Sequence, residues 1–225
     1  MKISNLRKSF ADFSLHIDQL QVAPGRIYGI IGSNGCGKTT AMKLMAGLAT
    51  PDSGHIDYEG LAPRDITMVF RKPYILHDTV LRNLEYPITV RGLKPDAALI
   101  EHYLEICGLG ALRYAYAPGL SGGQQQKLSL ARAMVFSPKL IFVDEAFSNM
   151  DIESVAFFED YILEKQRNTP ITWIIVSHQL SNIHRLCNYI YFMHGGRVEC
   201  EGPTQNILHQ PGNEFLKRYL HSYNI

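Results

Sequence analysis

The residues best able to do chemistry are concentrated in Gly32-Ser33-Asn34-Gly35-Cys36-Gly37-Lys38-Thr39-Thr40. Gly32, Gly37, Lys38 and Thr39 satisfy the spacing G-x-x-x-x-G-K-[ST]. Glycines at 32, 35 and 37 let the backbone curl until successive N–H groups point inward, a geometry that suits phosphate oxygens. Lys38 can bridge the outer phosphates of a nucleotide, and the Thr39 hydroxyl can hold Mg²⁺. The flanks agree: residues 27–31 form an apolar run that reads as a buried strand. After the loop, Ala41, Leu44, Met45 and Leu48 recur at helical spacing before the break at Pro51. A helix N-terminus at the loop adds partial positive charge. The competing reading, a glycine-rich turn with a surface lysine, explains the glycines but not the Lys-Thr pair at this spacing.

The elements that must position this loop follow from periodicity. Residues 3–10 and 15–22 read as two short strands with polar residues interleaved, and 55–58 and 66–70 as two more. From about residue 72 to 137 the character is helical, with a helix opening at Pro95 and running to Gly108, and another over 122–136 preceded by Ser121 and ended by Pro138. Residues 140–143 are an apolar run ending in Asp144 and Glu145. Asp151 can cap the next helix. Residues 171–176 form a strand leading to His178, and 189–193 and 197–200 a hairpin about Gly195-Gly196. Strands alternating with helices imply an α/β fold with a mostly parallel sheet.

Composition excludes several classes. The 225 residues are 46% hydrophobic and 19% charged, ordinary for a folded protein with a substantial core. Lys+Arg 22 against Asp+Glu 21 gives no electrostatic footprint for nucleic acid. Cys36, Cys107, Cys187 and Cys200 are scattered, so neither a zinc site nor a disulfide framework is expected, and a reducing compartment is the simplest reading. No signal peptide is expected at the N-terminus, and no apolar stretch approaches the ~18 residues of a membrane span.

Three further stretches complete a pattern. Leu120-Ser121-Gly122-Gly123-Gln124 is followed by the apolar strand ending in Asp144-Glu145, then by Ser148-Asn149-Met150-Asp151, and finally by His178. With the phosphate loop, in this order, they resemble the ATP-binding subunit of an ABC transporter over nearly the whole chain. The resemblance implies one ABC ATPase domain over 1–225: a P-loop core, a small antiparallel β-subdomain and a helical lobe inserted at about 72–137. It implies ATP and Mg²⁺ as ligands, the loop 32–40 around the phosphates, and Asp144 beside Thr39 at the metal. Glu145 takes the role of general base and His178 that of γ-phosphate sensor. Ser121, Gly122, Gly123 and Gln124 face the ATP of an opposite subunit. Local alternatives stand beside these roles: the two acids can cap a loop, His178 can be a core histidine, and Ser121 is a good helix N-cap in any case. Phe10 stands near where the family stacks an aromatic ring on adenine, with Phe13 a competitor and a plain core phenylalanine the other reading.

One departure is informative. The family usually has Gln after the strand at 66–70, and here Arg71 follows. A guanidinium has donors only, so Arg71 is expected to bind phosphate oxygens or an acidic group of a partner rather than Mg²⁺. The resemblance also implies partners: a second copy or a paired ATPase, integral membrane permease subunits that hold the chain at the cytoplasmic face, and a solute-binding protein. The free-standing cassette resembles importers, with a faint likeness at Tyr86-Pro87-Ile88 and Arg91-Gly92 to those of oxyanions such as tungstate or molybdate. The alternatives are an ATPase of an exporter and a soluble ABC-type ATPase acting on ribosomes or nucleic acid.

Overall fold

The computed structural model describes residues 1–148 and 150–223; Asn149, within the Ser148–Asp151 stretch, lies outside the described residues. Strands β1 (Lys2–Ser9) and β2 (Ser14–Gln21) pair antiparallel from Lys2↔Gln21 to Ser9↔Ser14, burying Ile3 and Leu6 of one and Leu15, Ile17 and Leu20 of the other, with the period of two broken at Asn5, whose φ is +52°. Every residue of β3 (Ile27–Gly32) is buried, and α1 (Lys38–Met45) follows the loop. The edge strand β4 (Ser53–Asp57) pairs with β1, and β5 (Ile66–Val69) enters the parallel part of the sheet.

Three helices separate β5 from the next strand: α2 (Val80–Thr89), α3 (Ala97–Ile106) and α4 (Gly122–Met134). Thr79 caps α2, Asp96 caps α3 and Ser121 caps α4 through side-chain oxygens. The chain continues through β6 (Leu140–Asp144), α5 (Ile152–Asn168), β7 (Thr172–Val176), α6 (Leu180–Leu186), β8 (Tyr189–His194), β9 (Arg197–Pro203), α7 (Thr204–His209) and α8 (Glu214–His221). Asp151 caps α5 by accepting from Ser154 N at 2.8 Å.

The nine-stranded sheet has the order β4-β1-β2-β9-β8-β3-β7-β6-β5. β8, β3, β7, β6 and β5 are mutually parallel; β4, β1 and β2 form an antiparallel wing joined through β9. Because the parallel strands are covered on both faces, they read as continuous apolar runs. Alternation survives in which core they feed. Ile141, Val143, Trp173 and Ile175 pack on the side of α2–α5, while Leu140, Phe142, Ile174 and Val176 pack with Met42, Leu44 and the wing.

Several boundaries differ from the sequence reading by a few residues, and three of the differences have a physical reason. Leu48 is not on the buried face of α1: the helix ends at Met45, Gly47 turns the chain at φ +71°, and Leu48 is 57% exposed. Asp96, a stronger N-cap than Pro95 is a first residue, moves the start of α3 to Ala97. Residues 71–79, near the expected start of helical character, are loop and turn before α2.

Candidate nucleotide-binding site

Parallel register decides what meets at the site. Ile30 pairs with Val176, Asp144 with Val176, and Val69 with Val143. The C-terminal ends of β3, β7, β6 and β5 therefore lie along one edge, where α/β folds bind ligands. The phosphate loop, His178, Asp144-Glu145 and Arg71 all leave from it.

At the loop, two glycines are required by space. A Cβ on Gly32 (φ +150°) would stand 2.1 Å from the Met193 carbonyl oxygen and 2.9 Å from Cys36 Sγ. A Cβ on Gly37 (φ +102°) would stand 2.7 Å from the Phe13 ring. Gly37 is also the N-cap of α1, and no side chain among the described residues caps that helix's first N–H groups, which suits them to an anion. Lys38 is buried, and its Nζ donates to the carbonyls of Gly32 at 2.8 Å and Ser33 at 2.9 Å. The ammonium thus sits inside the curl made by residues 32–37. Cys36 Sγ lies 4.0 Å from Nζ. Burial pushes the Cys36 thiol up against the pull of Lys38, so it stays protonated and a slow nucleophile.

Beyond the loop, the Thr39 hydroxyl donates to Asp144 Oδ2 at 2.9 Å, with Oδ1 at 3.2 Å. Asp144 is 5% exposed; burial raises its pKa, the Thr39 hydrogen bond opposes the rise and the charge of Glu145 adds to it. A hydroxyl and a carboxylate side by side next to Lys38 are hard oxygen donors of the kind Mg²⁺ takes, with phosphate and water completing its shell. These residues fit the metal that the fold implies.

Glu145 adopts a left-handed backbone, φ +51°. Its N–H donates to Val176 O at 2.9 Å, and its carbonyl accepts from Ser148 Oγ at 2.9 Å. Backbone strain held by such over-determination is common at functional sites. The side chain, 10% exposed, is met on both oxygens: His178 Nε2 is 2.6 Å from Oε1 and Arg71 Nη1 is 3.2 Å from Oε2. The guanidinium approaches Oε2 without an aligned hydrogen bond to it.

Ser121 and Gln124 form a reciprocal capping box. Ser121 N donates to Gln124 Oε1 at 3.0 Å, and Gln124 N donates to Ser121 Oγ at 3.3 Å. Ser121 and Gly122 are exposed, and Gly123 follows in the first turn. The main contacts of α4 are with α2 and β5, whereas those of α1 are with β3, β6 and β7. Within one chain, then, the Ser121–Gln124 turn and the phosphate loop belong to different packing units. Phe10 is 53% exposed and stacks on Phe13 with ring centroids 6.2 Å apart. Phe13 itself packs against Gly37 and Gly196, so it supports the loop while Phe10 offers an open face.

Sequence reading missed the polar side chains that hold the loop after β5. Gln126 of α4 donates from Nε2 to Phe70 O at 3.2 Å, and its own buried Oε1 has no hydrogen-bond partner among the described residues. Arg132 of α4 donates to Tyr74 O and, at 3.1 Å, to Asn83 Oδ1. Asn83, wholly buried in α2, accepts from Leu76 N and donates to Leu76 O and Thr79 O. In a helix such residues read as solvent-facing, and only their spacing with apolar neighbours hinted otherwise. A cavity of about 610 Å³ opens at the opposite end of the strands, lined by Leu140 and Thr172, and none of the motif residues lines it.

A phosphate loop closing a central parallel strand, with a Thr–Asp pair and a Glu–His pair on the neighbouring strand ends, defines a P-loop ATPase of the α/β class. The sequence profile of the family described as ABC transporter matches residues 15–148. The chain belongs to the ABC transporter family, as an ATP-binding subunit similar to those of importers. It is 34% identical over 208 residues to the tungstate uptake system ATP-binding protein TupC of Peptoclostridium acidaminophilum, covering 89% of this chain and 97% of that one. It is 31% identical over 238 residues to the Fe(3+) ions import ATP-binding protein FbpC of Photorhabdus laumondii, covering 100% of this chain and 67% of that one. Among solved structures, the dimeric post-hydrolysis state of an ATP-binding cassette bound to ADP and Pi shares the fold: TM-score 0.79 at 22% identity, over 90% of this chain and 98% of that one.

Proposed function

We propose that this chain is the ATPase subunit of an importer, pairing head to tail with a second copy around two ATP molecules and driving permease subunits in the membrane. The observation that carries the reading is the division of the site. Lys38, Thr39–Asp144 and Glu145–His178 converge on one strand edge, while the exposed turn at Ser121–Gly123 packs with other elements of the chain. A second copy supplies that turn, whose N–H groups and helix dipole suit a γ-phosphate.

In this reading residues 32–40 wrap the phosphates, and Lys38 exchanges loop carbonyls for phosphate oxygens. Thr39 and Asp144 would hold Mg²⁺, which would supply charge neutralisation at the phosphates. Glu145 takes the proton of the attacking water, with His178 orienting its carboxylate and sensing the γ-phosphate. Phe10 stacks on adenine. The whole of 1–225 acts as one domain, with the helical lobe at about 72–137 passing closure to the permease. Exposed Tyr74, Tyr86, Tyr114 and Tyr116 in this stretch offer large amphipathic contacts for such a partner. No helix among the described residues is long and apolar enough to cross a membrane, so in this reading permeases hold the chain at the cytoplasmic face.

The cargo is a small solute delivered by a binding protein, and an oxyanion of the tungstate or molybdate type is the favoured class. The likeness to the tungstate-system relative supports that choice, while the iron-system relative matches the entire chain at similar identity, so ATPase similarity tracks cargo weakly. The test is phosphate release and light scattering of the purified chain with Mg²⁺ and ATP, then uptake of labelled tungstate, molybdate and iron by vesicles holding the full transporter. Absence of both turnover and nucleotide-dependent pairing would overturn the reading; uptake of iron alone would overturn the cargo.

A further inference from the structure

The cavity of about 610 Å³ at the other end of the sheet lies where three strands begin. β3, β6 and β7 are each entered through a turn with a proline shortly before the strand: Pro24, Pro138 and Pro170, all of which line the cavity. Proline fixes φ near about −65°, so these walls are pre-formed rather than gathered by a ligand. Tyr58 and Leu61 from the antiparallel wing and Met134 from the end of α4 add apolar surface. The volume falls within the ~300–1,000 Å³ of small-molecule sites. The far ends of the same strands lead to the phosphate loop, Asp144–Glu145 and His178, so the cavity is separate from the nucleotide site.

Charge selects the occupant. Among the charged side chains that line the cavity, Glu59 is paired with Lys2 and the Met1 ammonium, and Lys139 with Asp65. Lys165, half-buried in the last turn of α5, has no carboxylate partner among the described residues; its Nζ stands 5.5 Å from the centroid of the Tyr161 ring. A lysine there can also answer the carbonyl end of its helix, yet this ammonium donates to no carbonyl among the described residues. Ser137 holds a left-handed backbone, φ +54°, just past α4, where glycine is the usual residue. Neither its hydroxyl nor that of Thr169 has a hydrogen-bond partner among the described residues, and both side chains line the cavity. We propose that this cavity is a second ligand site that takes a small aromatic acid, with its ring among the prolines and tyrosines and its carboxylate on Lys165. Flat apolar rings suit walls built from proline and tyrosine faces, and the acid supplies the counter-charge that the chain itself does not give Lys165.

The experiment is a titration of the full chain with anilinonaphthalene sulfonate (ANS), an aromatic monoanion that fluoresces in apolar surroundings. AMP-PNP and Mg²⁺ are kept in excess so that the dye stays out of the nucleotide site. Wild type should bind ANS saturably, and naphthoate should displace it at about three- to fivefold lower concentration than neutral naphthamide, the scale of one half-exposed ion pair. In Lys165→Met that preference should fall below about 1.5-fold, whereas Lys165→Arg should keep it. Thr169→Phe, which sets a ring in the cavity from an exposed position, should weaken ANS and naphthoate alike by about tenfold or more with the melting temperature near that of wild type. Absence of saturable dye binding, equal displacement by acid and amide, a preference retained in Lys165→Met, or unchanged binding in a folded Thr169→Phe overturns the site. If Thr169→Phe does not fold, the Lys165 variants decide. Each of these outcomes leaves the ATPase reading intact.

Discussion

Replacing Glu145 by Gln separates chemistry from everything else the residue does. The amide keeps the volume of a side chain that is 10% exposed, but cannot accept a proton from water. Loss of a positioned general base lowers the rate by about 10²–10⁴-fold, or about 3–5.5 kcal/mol in the barrier at 1.36 kcal/mol per decade. The ground state changes little by comparison. The Arg71 and His178 pairs at 3.2 and 2.6 Å involve partners that are 66% and 34% exposed. Water screens both, so each is worth about 0–1 kcal/mol and the melting temperature should move by only a few degrees. Lys38, Thr39 and the glycines are untouched, so ATP should still bind, and the unhydrolysed nucleotide should accumulate in a paired form. The assay is single-turnover phosphate release with enzyme in excess, run beside ATP binding and a thermal melt. Turnover within tenfold of wild type would refute the base assignment. A large fall in melting temperature with loss of ATP binding would show that Glu145 holds the fold rather than the reaction.

Other perturbations read other parts of the site. Gly32→Ala places a Cβ 2.1 Å from Met193 O at φ +150°, a backbone clash expected to cost about 3 kcal/mol or more and to abolish ATP binding; a melt within 2 °C of wild type (~2–4 °C per kcal/mol) would contradict that packing. Asp144→Asn relieves a buried charge beside Thr39, so the chain should gain stability, in the common range of about 0.5–2 kcal/mol, while Mg²⁺-dependent turnover disappears. A destabilised but active variant would sink that reading. Glu59 is held at about 2 by Lys2 and the N-terminal ammonium, below its ordinary 4.5. A depressed carboxylate stabilises the fold fully above pH 4.5, and that contribution fades as pH falls to about 2. The melting difference between wild type and Glu59→Gln should follow the same course; a difference independent of pH would exclude the linkage.

What could be read from the residues, and what could not, divides along a physical line. Local chemistry was legible. The spacing of Gly32, Gly37, Lys38 and Thr39 announces the loop, Ser121 with Gln124 announces a capped helix, and the run 140–143 announces a strand buried on both faces. Contacts across the sheet were not. Arg71 meets Glu145 because Val69 pairs with Val143, a register that no spacing within either segment encodes. The close approach of Gly32 to Met193 depends on the neighbouring strand in the same way. Leu48 failed for a smaller reason: helical spacing continued past Gly47, whose left-handed backbone had already turned the chain.

Gln126 bears on how such a protein should be engineered. Its amide spends one end on Phe70 O and leaves a buried acceptor with no partner among the described residues, where an unmet acceptor costs about 1–3 kcal/mol against the ~1 kcal/mol of a typical hydrogen bond. A screen scoring heat tolerance alone would therefore favour an aliphatic residue at 126. The winners would be sturdier cassettes whose α4 holds residues 70–79 through Arg132 alone. Thermostability campaigns on this chain should score ATP turnover alongside melting, or they will trade the hold on Phe70 for heat tolerance.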